Sequence, residues 1–280
     1  MPSPQIFTVT PVIPPQIKIL WVNPINSSLY DQAIAQQIAD IKLPNAEVHV
    51  VSLDLGPTVK LTNLEYRVYE VEILKPVTHL AYFAQANGFD AYAIGCFYDT
   101  ALHEAREVSG DTIVRAPCEA SLQIASTLGN RFSIVIGHDK WKVQMEDAVR
   151  AYGYHDKLAS FRVLGMHVAE FQKEPEKTKE AIRKAIIAAK EEDGAEVIIL
   201  GCTVGYGFGE ELQRELSIPI IDVVQACYKL AEQSALLKKQ IGLTPSRLHS
   251  MPPPSQKELE DSGVFAGEPP IGNHIIIESN

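Results

Sequence analysis

The stretch IGCFYDT at residues 94–100 decides the fold, because the pattern at its start is repeated later in the chain. An apolar run ends there in a glycine and Cys96, and turn-forming residues follow. A second apolar run, VIIL at residues 197–200, ends in the same way in a glycine and Cys202. Two strand ends that each present one thiol indicate a chain built from two similar halves that face each other.

The repeat continues in register beyond the two cysteines, which are 106 positions apart. Applying that offset places the apolar positions of one helical pattern on those of another. The matched pairs are Ala120 with Ala226, Ile124 with Leu230, and Ala125 with Ala231. A register shared over this length supports a duplicated architecture.

The composition describes a globular chain with a sizeable core. Its 280 residues are 46% hydrophobic and 21% charged, which suits one large domain or two smaller lobes. A formal net charge of -10 argues against a nucleic-acid surface or an anionic membrane as partner. No apolar run approaches the roughly 18–20 residues of a membrane-spanning helix. The proline-rich residues 1–16 lack the pattern of a secretion signal.

The four cysteines, at positions 96, 118, 202 and 227, do not form a disulfide framework. None has the close spacing of a zinc or redox site, so no metal is expected. Free thiols make the cytoplasm the default location. Cys118 and Cys227 are interpreted as structural, because each lies in a predicted helix and lacks the preceding glycine at a strand end.

Short apolar runs alternate with helical patterns along the chain. Strands are predicted at residues 17–22, 47–52, 90–96, 112–115, 132–137, 159–164, 197–202 and 218–221. Helices are predicted at 29–41, 65–86, 100–108, after Pro117, and at 140–152, 177–191, 210–216 and 223–238. Asp99 is expected to cap the helix at 100–108. This alternation predicts parallel sheets flanked by helices.

Polar clusters follow several predicted strands, where ligands bind in open α/β sheets. They occupy residues 23–28, 96–100, 117–119 and 202–209. The backbone amides after the two thiols, at Phe97-Tyr98 and Thr203-Val204, are expected to face the cleft. Such amides bind carboxylate or imide oxygens. They also lower the pKa of a thiol from its usual value of about 8.5, which predicts substantial thiolate at neutral pH.

Two thiols on opposite walls of one cleft suit stereoinversion at a carbon acid. A thiolate removes the proton and a thiol on the other face returns one, without a metal or an organic cofactor. A carbanion next to carbonyl groups is stabilised as an enolate by the loop amides. A single cysteine at a strand end is more often inert and buried. Because two cysteines occupy matching places in a repeated pattern, a functional role is favoured over an inert one here.

Two other features have competing interpretations. The glycine-rich loop at residues 205–209 lacks the full spacing of a nucleotide-binding fingerprint, so close packing is favoured. Glu119 is a candidate for contacting the substrate, and it is also placed to cap a helix, which is the safer interpretation.

Five motifs together resemble those of the aspartate/glutamate/hydantoin racemase superfamily, and most closely those of its hydantoin and allantoin racemase branch. The likeness spans about residues 17–236. The motifs are NPINSS at 23–28, GCFYDTALHEAREV at 95–108, PCEAS at 117–121, ILGCT at 199–203 and PIIDVVQACYKLAE at 219–232.

The resemblance implies an α/β fold of two pseudo-symmetric lobes, each a mainly parallel sheet flanked by helices, with the active site in the cleft between them. Lobe 1 is expected to comprise residues 17–115 plus 223–241, and lobe 2 residues 116–222. Residues 1–16 form an N-terminal arm, and residues 242–280 form a proline-rich C-terminal tail without a counterpart in the family. The tail is expected to lie over its own domain or a neighbouring subunit, and whether it adds an edge strand stays open.

By matching position, Cys96 and Cys202 would be the two acid/base residues. The side chains expected to hold the polar ring or carboxylate of the substrate are Asn23, Ser27, Ser28 and Thr203. The remaining substrate contacts are assigned to Phe97, Tyr98, Val204 and Glu119. Members of the family use no cofactor and are commonly oligomeric, so a homo-oligomer that acts on a small molecule is expected.

The sequence departs from the family at the two cysteine motifs. Tyr98 and Thr100 stand where hydantoin racemases usually have glycine and proline, which places a bulky phenol near the reacting carbon. The pair Thr203-Val204 replaces the usual Ala-Gly, and Val204 also replaces the histidine of glutamate racemases. These differences favour an acidic carbon such as C5 of a hydantoin over that of an amino acid.

The leading hypothesis is therefore a cofactor-independent racemase or epimerase of a 5-substituted hydantoin or a similar activated carbon acid. The first alternative is a related cysteine-dependent decarboxylase or cis-trans isomerase of a small dicarboxylic acid. The second is a non-catalytic protein whose two lobes close on a small anion.

Overall fold

The computed structural model describes residues 13–279, so most of the arm predicted at 1–16 lies outside the described residues. Within that range the strands form two sheets. The first contains β1 (Ile17–Asn23), β2 (Ala46–Leu53), β3 (Ala91–Ile94), β4 (Ile113–Arg115) and β9 (Ile271–Ile277). The second contains β5 (Phe132–Ile136), β6 (Leu158–Val163), β7 (Val197–Leu200) and β8 (Ile220–Asp222).

Helices follow most of the strands. They are α1 (Asp31–Ile41), α2 (Arg67–Ala86), α3 (Leu102–Val108), α4 (Pro117–Leu128), α5 (Lys142–Ala151), α6 (Pro175–Glu192), α7 (Gly209–Leu216), α8 (Val223–Ile241) and α9 (Gln256–Ser262). All predicted helices and strands are present, and α9 and β9 are additional. Among residues 13–279, no helix combines the length and the apolar composition needed to cross a membrane.

The two sheets have the same strand order, which confirms the predicted duplication. From one edge, the first sheet runs β4-β3-β1-β2 and the second runs β8-β7-β5-β6. All neighbours among these eight strands are parallel. Strands β3 and β7 are completely buried, because helices cover both faces of a parallel sheet. The α/β fold with parallel sheets flanked by helices is thus confirmed.

Helices α4 and α8 link the two halves. They begin 106 positions apart, which is the offset of the two cysteines, and they pack against each other. Helix α8 lies on β1, β3 and β4, whereas α4 contacts β7 and β8. Each of these helices therefore covers the sheet of the other half. The contacts support grouping residues 223–241 with lobe 1, and the lobe boundaries themselves stay a prediction.

The tail after α8 docks on the first half of its own chain. The Arg247 guanidinium donates to the carbonyl of Arg106 at 2.7 Å. Further along, Phe265 stacks on Tyr82 of α2, with ring centroids 5.1 Å apart. Strand β9 then pairs with β2 in antiparallel fashion, with Val50 opposite Ile275. The edge strand that the sequence left open is present, and it covers the exposed edge of β2.

Candidate active site

A cavity of about 620 Å³, including its open mouth, lies at the carboxyl ends of the central strands of both sheets. Three turns form its walls: residues 23–25 after β1, 95–98 after β3 and 201–204 after β7. Residues 62–65, which precede α2, close another side. Cys96 and Cys202 both line this cavity, and both side chains are partly accessible. The structure thus brings the two thiols of the repeat to one site.

The two cysteine turns have the same backbone hydrogen bonds. The Cys96 amide donates to the Ile94 carbonyl at 3.0 Å, and the Cys202 amide donates to the Leu200 carbonyl at 2.7 Å. These bonds close a tight turn at once, so β3 and β7 end two residues before each cysteine. The predictions that the strands continue to residues 96 and 202 were wrong for this reason.

The glycine before each cysteine is required by a close approach of the neighbouring strand. A Cβ atom at Gly95 would lie 2.8 Å from the Val22 carbonyl oxygen and equally close to the indole nitrogen of Trp21. A Cβ atom at Gly201 would lie 2.8 Å from Cγ2 of Ile134. Both contacts are too short for a side chain, so packing explains why glycine precedes each thiol.

Backbone amides face both thiols from equivalent positions. The Tyr98 amide hydrogen-bonds to the Cys96 thiol, and the Val204 amide hydrogen-bonds to the Cys202 thiol, in each case from two residues further along. The Gly205 amide adds a second bond to Cys202. Amides in this arrangement stabilise negative charge on sulfur or on a nearby oxygen.

Desolvation of the sulfur atoms nevertheless favours the protonated form of both thiols. Desolvation raises the pKa of Cys96 to about 12, and the charges of Glu70 and Asp99 add to this increase. Desolvation also raises the pKa of Cys202 to about 11, with a smaller contribution from Glu65. The predicted lowering of the thiol pKa was wrong, because the loss of hydration outweighs the amide hydrogen bonds.

Asp99 anchors the turn that follows Cys96. Its backbone is left-handed, with φ 51°, and its carboxylate accepts hydrogen bonds from the amides of Cys118 and Glu119 at 2.8 and 2.9 Å. The hydroxyl of Tyr152 donates to the same carboxylate at 2.9 Å. The prediction that Asp99 caps α3 was wrong: it satisfies the first turn of α4, and so it ties the Cys96 turn to the helix that crosses between the halves.

Glu65 is a cavity residue that the sequence did not reveal. Glu65 is buried, with only 8% of its surface exposed. The carboxylate accepts a hydrogen bond from the Val168 amide at 2.5 Å and lies 2.9 Å from Nδ1 of His167. Residues 54–66 form a long connection between β2 and α2, and long connections often carry function. The length of this connection is the one feature of the sequence that could have indicated a functional residue here.

The cavity lining is mostly apolar and carries no basic group. Its larger apolar members are Ile25, Ile34, Leu64, Phe97, Trp141, Met145, Val168 and Val204. No lysine, arginine or histidine is among the lining residues of the described chain, and Glu65 is the acidic one. Within the described chain, the cavity lining therefore offers no side-chain cation to pair with a carboxylate of a ligand.

Most of the predicted substrate contacts reach the cavity. The lining includes Asn23, Phe97, Tyr98, Thr203 and Val204. The amide group of Asn23 is held from both ends. Its Oδ1 accepts a hydrogen bond from Trp21 at 2.8 Å, and its Nδ2 donates to Asp31 at 2.5 Å.

The structure does not bring Ser27, Ser28 or Glu119 to the cavity. After residue 25 the chain turns away from it, because the Asn26 side chain is bound to the loop at residues 55–59. The Ser27 hydroxyl accepts a local bond from the Leu29 amide, and Ser28 is exposed.

Glu119 is engaged elsewhere as well. Its carboxylate lies 2.6 Å from the Arg106 guanidinium and 3.7 Å from that of Arg115. Two arginines therefore hold it outside the cavity, in the first turn of α4. Across residues 13–279, no group of three or more His, Cys, Asp or Glu side chains is arranged to hold a metal ion.

Comparison with known proteins identifies the family. The family model described as Asp/Glu/Hydantoin racemase matches residues 19–231. A hydantoin racemase from a Pseudomonas species is 32% identical over 242 residues, which cover 86% of this chain and 94% of that protein. The structure of an allantoin racemase from Klebsiella pneumoniae is 26% identical, with a TM-score of 0.78, and the match covers 86% of this chain and 95% of that one.

The fold extends to enzymes with a different reaction. An arylmalonate decarboxylase structure is 17% identical, with a TM-score of 0.52, and the match covers 78% of this chain and 92% of that one. This likeness shows the shared fold alone. The family match and the curated relatives are more specific. The chain is an isomerase of the racemase type, and it belongs to the Asp/Glu/hydantoin racemase family, in the branch of the hydantoin and allantoin racemases.

Proposed function

We propose that the protein racemises a 5-substituted hydantoin or a similar activated carbon acid, by proton transfer between Cys96 and Cys202. The observation that carries this proposal is the presence of both thiols in one cavity, on turns with the same hydrogen-bond pattern. The hydantoin racemase and allantoin racemase similar to this chain support the same class of substrate.

Each enantiomer uses the two sulfurs in opposite order. The thiolate of one cysteine takes the proton from the substrate carbon, and the electron pair moves onto the adjacent carbonyl as an enolate. The amides of Tyr98 and Val204 hydrogen-bond to the two sulfurs and stabilise the thiolate that takes the proton. The thiol of the other cysteine then donates its proton to the opposite face and becomes the thiolate. The reaction needs no redox step and no added group.

High thiol pKa values fit this mechanism. A thiolate that forms at a pKa near 11 or 12 is a strong base, so a small thiolate population is matched to a weakly acidic carbon. The chemistry therefore requires one proton to leave the pair of thiols before or during substrate binding.

The charge of the cavity separates the two enzymatic hypotheses. A dicarboxylate would place two negative charges beside Glu65 without a basic group among the lining residues of the described chain. A hydantoin ring is neutral, and it offers carbonyl oxygens and N–H groups to the backbone amides and to Asn23. The cavity thus supports the hydantoin hypothesis over decarboxylation or cis-trans isomerisation of a diacid.

The setting of the enzyme is part of the proposal. We expect a cytoplasmic homo-oligomer that acts on a small molecule without a cofactor and without a nucleic-acid or membrane partner. The net charge of -10 and the four free cysteines support this setting.

Proton exchange in D2O tests the mechanism. With Cys96→Ser, deuterium incorporation should be largely lost for one enantiomer of the substrate and should persist for the other, and Cys202→Ser should show the opposite preference. Cys227→Ala serves as the control, because that thiol is buried in α8 away from the cavity. Unchanged exchange of both enantiomers in both serine variants would refute the two-base assignment. Product analysis with a panel of hydantoins and diacids tests the substrate class.

A further inference from the structure

We infer that strand β9 of the C-terminal tail positions the Asn23 side chain in the cavity through the buried carboxylate of Asp31. The Asn273 Nδ2 donates to Asp31 Oδ2 at 2.9 Å. The other oxygen of the same carboxylate accepts a hydrogen bond from Asn23 Nδ2 at 2.5 Å. A continuous line of hydrogen bonds thus runs from the tail to a residue that lines the cavity.

Asp31 depends on these two amides for its polar contacts. The residue is 1% exposed, and none of the ion pairs of the described chain includes it. It lies at the first position of α1, where the helix dipole favours a negative charge. A buried carboxylate that loses one of its donors must recruit water or move. Either change alters the oxygen that holds Asn23.

A shift of the Asp31 carboxylate changes the orientation of Asn23, because both ends of the Asn23 side-chain amide are hydrogen-bonded. It is 3% exposed, and its Oδ1 is already bonded to the indole N–H of Trp21 at 2.8 Å. One N–H of its Nδ2 is committed to Asp31, and the amide group has a second N–H for a ligand in the cavity. The direction of that second N–H is set by the bond to Asp31.

The glycine before Asn273 lets β9 lie close enough to β2 for Asn273 to reach Asp31. A Cβ atom at Gly272 would lie 2.7 Å from the Leu53 carbonyl oxygen, so only glycine lets β9 approach the end of β2 so closely. The pairing of the strands shifts at the same place, between Val51 and Leu53. The backbone N–H of Asn273 also donates a hydrogen bond to the Ser52 hydroxyl at 3.4 Å.

The tail lies outside the region that defines the family. The family model ends at residue 231, whereas β9 begins at Ile271. Asn23 and Asp31 lie inside the matched region, so the tail is an addition that supports a site of the family. The inference rests on the proposed function for its kinetic readout only, and the hydrogen-bonded line can be measured without any substrate.

The first experiment follows the indole N–H of Trp21 by 1H–15N NMR. The chain has two tryptophans, and Trp141→Phe in the background leaves Trp21 as the single indole signal. Asn273→Ala removes the donor, and Asn273→Asp places a carboxylate against that of Asp31. Both should shift the Trp21 resonance, whereas Ile276→Ala, an exposed position of the same strand, should not. An unchanged resonance in both Asn273 variants would overturn the inference, whatever the enzyme's reaction.

The second experiment measures kinetics with the tryptophans intact. Asn273→Asp should raise KM by about ten-fold, equivalent to one hydrogen bond to a charged group, with a smaller change in kcat. The double variant Asp31→Asn with Asn273→Asp exchanges the amide and the carboxylate and should recover most of the loss. A general loss of stability would lower the amount of active enzyme without this rescue. An Asn273→Asp variant with unchanged KM, or a double variant without recovery, would count against the positioning role.

Discussion

Glu65 and His167 are joined at one side of the cavity by a hydrogen bond of 2.9 Å between Oε2 and Nδ1. Glu65 precedes α2 in the first half, and His167 follows β6 in the second. The neighbouring Val168 amide donates to the same carboxylate, and Val168 itself lines the cavity. This pair therefore fixes the two halves against each other beside the cavity, and Glu65 brings a negative charge close to Cys202.

Glu65→Gln should make Cys202 more reactive. The negative charge of Glu65 raises the pKa of this thiol, so its removal should lower the pKa and increase the thiolate fraction at a fixed pH. Alkylation by iodoacetamide at pH 9, followed by mass spectrometry of the peptides, should show faster labelling of Cys202. Cys96 is the internal control, because desolvation, Glu70 and Asp99 raise its pKa. Equal acceleration of both thiols would indicate opening of the cavity instead.

The pH dependence of both thiols should lie far on the alkaline side. The pKa values of Cys202 and Cys96 are raised to about 11 and about 12, so the thiolate fraction grows about ten-fold per pH unit between pH 7 and 9. Alkylation of the substrate-free protein should follow this slope, with Cys202 ahead of Cys96. The values of kcat/KM should rise over the same range, since the free enzyme must supply the base. A plateau of the alkylation rates near pH 8 would contradict the raised pKa values of the two thiols.

The sequence revealed the parts of the site that depend on local pattern. Gly-Cys turns after apolar strands are visible in a single chain, and they correctly predicted the two halves and the meeting of Cys96 with Cys202. Glu65 and Val168 escaped notice because their places depend on contacts between distant segments. The left-handed backbone of Asp99 and the depth of the thiols are also set by packing, so the capping and pKa predictions failed.

The isoleucines near the C-terminus show a similar limit. Residues 275–277 form an apolar run that is compatible with a strand. Their partner is β2, more than 200 positions earlier in the chain, and the register depends on the close contact at Gly272. Nothing local to the tail identifies that partner, which is why the sequence left the edge strand open.

Tyr98 should limit the size of the substituent on the substrate. Its side chain lines the cavity beside Cys96, and its phenol stays neutral because burial raises its pKa well above the usual range. Tyr98→Ala should raise the ratio of kcat/KM for aryl-substituted over methyl-substituted hydantoins by about ten-fold, the usual effect of a change in pocket size. Tyr98→Phe keeps the ring and should leave the ratio unchanged. An equal loss for both substrates in the alanine variant would argue against a steric role.

Docking of the tail should weaken in acid, because two histidines in its contact surface resist protonation. Burial lowers the pKa of His274 on β9, and the charges of His49 and Lys18 lower it further. Burial and Lys75 lower the pKa of His79, which stacks on Phe265. When the tail is released, both histidines bind protons near a pH of about 6.5, whereas in the docked state they bind them at a lower pH. The free energy of docking is therefore fully available above that pH and decreases as the pH falls through it.

Hydrogen exchange measures this effect. After correction for intrinsic rates, the amides of β9 should exchange faster at pH 5.5 than at pH 7.5, while those of β5 in the other sheet should not change. Glutamine in place of both His79 and His274 should remove the difference. Protection of β9 that is the same at both pH values in the wild-type protein would show that the two histidines do not control docking.

Gly95→Ala and Gly201→Ala should each destabilise the protein without changing its net charge. An added Cβ atom would lie 2.8 Å from the Val22 carbonyl oxygen in the first case and 2.8 Å from Ile134 Cγ2 in the second. Overpacking of this kind costs about 1–3 kcal/mol in the free energy of unfolding, measured by urea denaturation. Gly209→Ala is the matched control, because its nearest contact would be an ordinary 3.6 Å. Since Gly95 touches rigid backbone and Gly201 a methyl group, Gly95→Ala should be the more damaging, and the reverse order would contradict this packing argument.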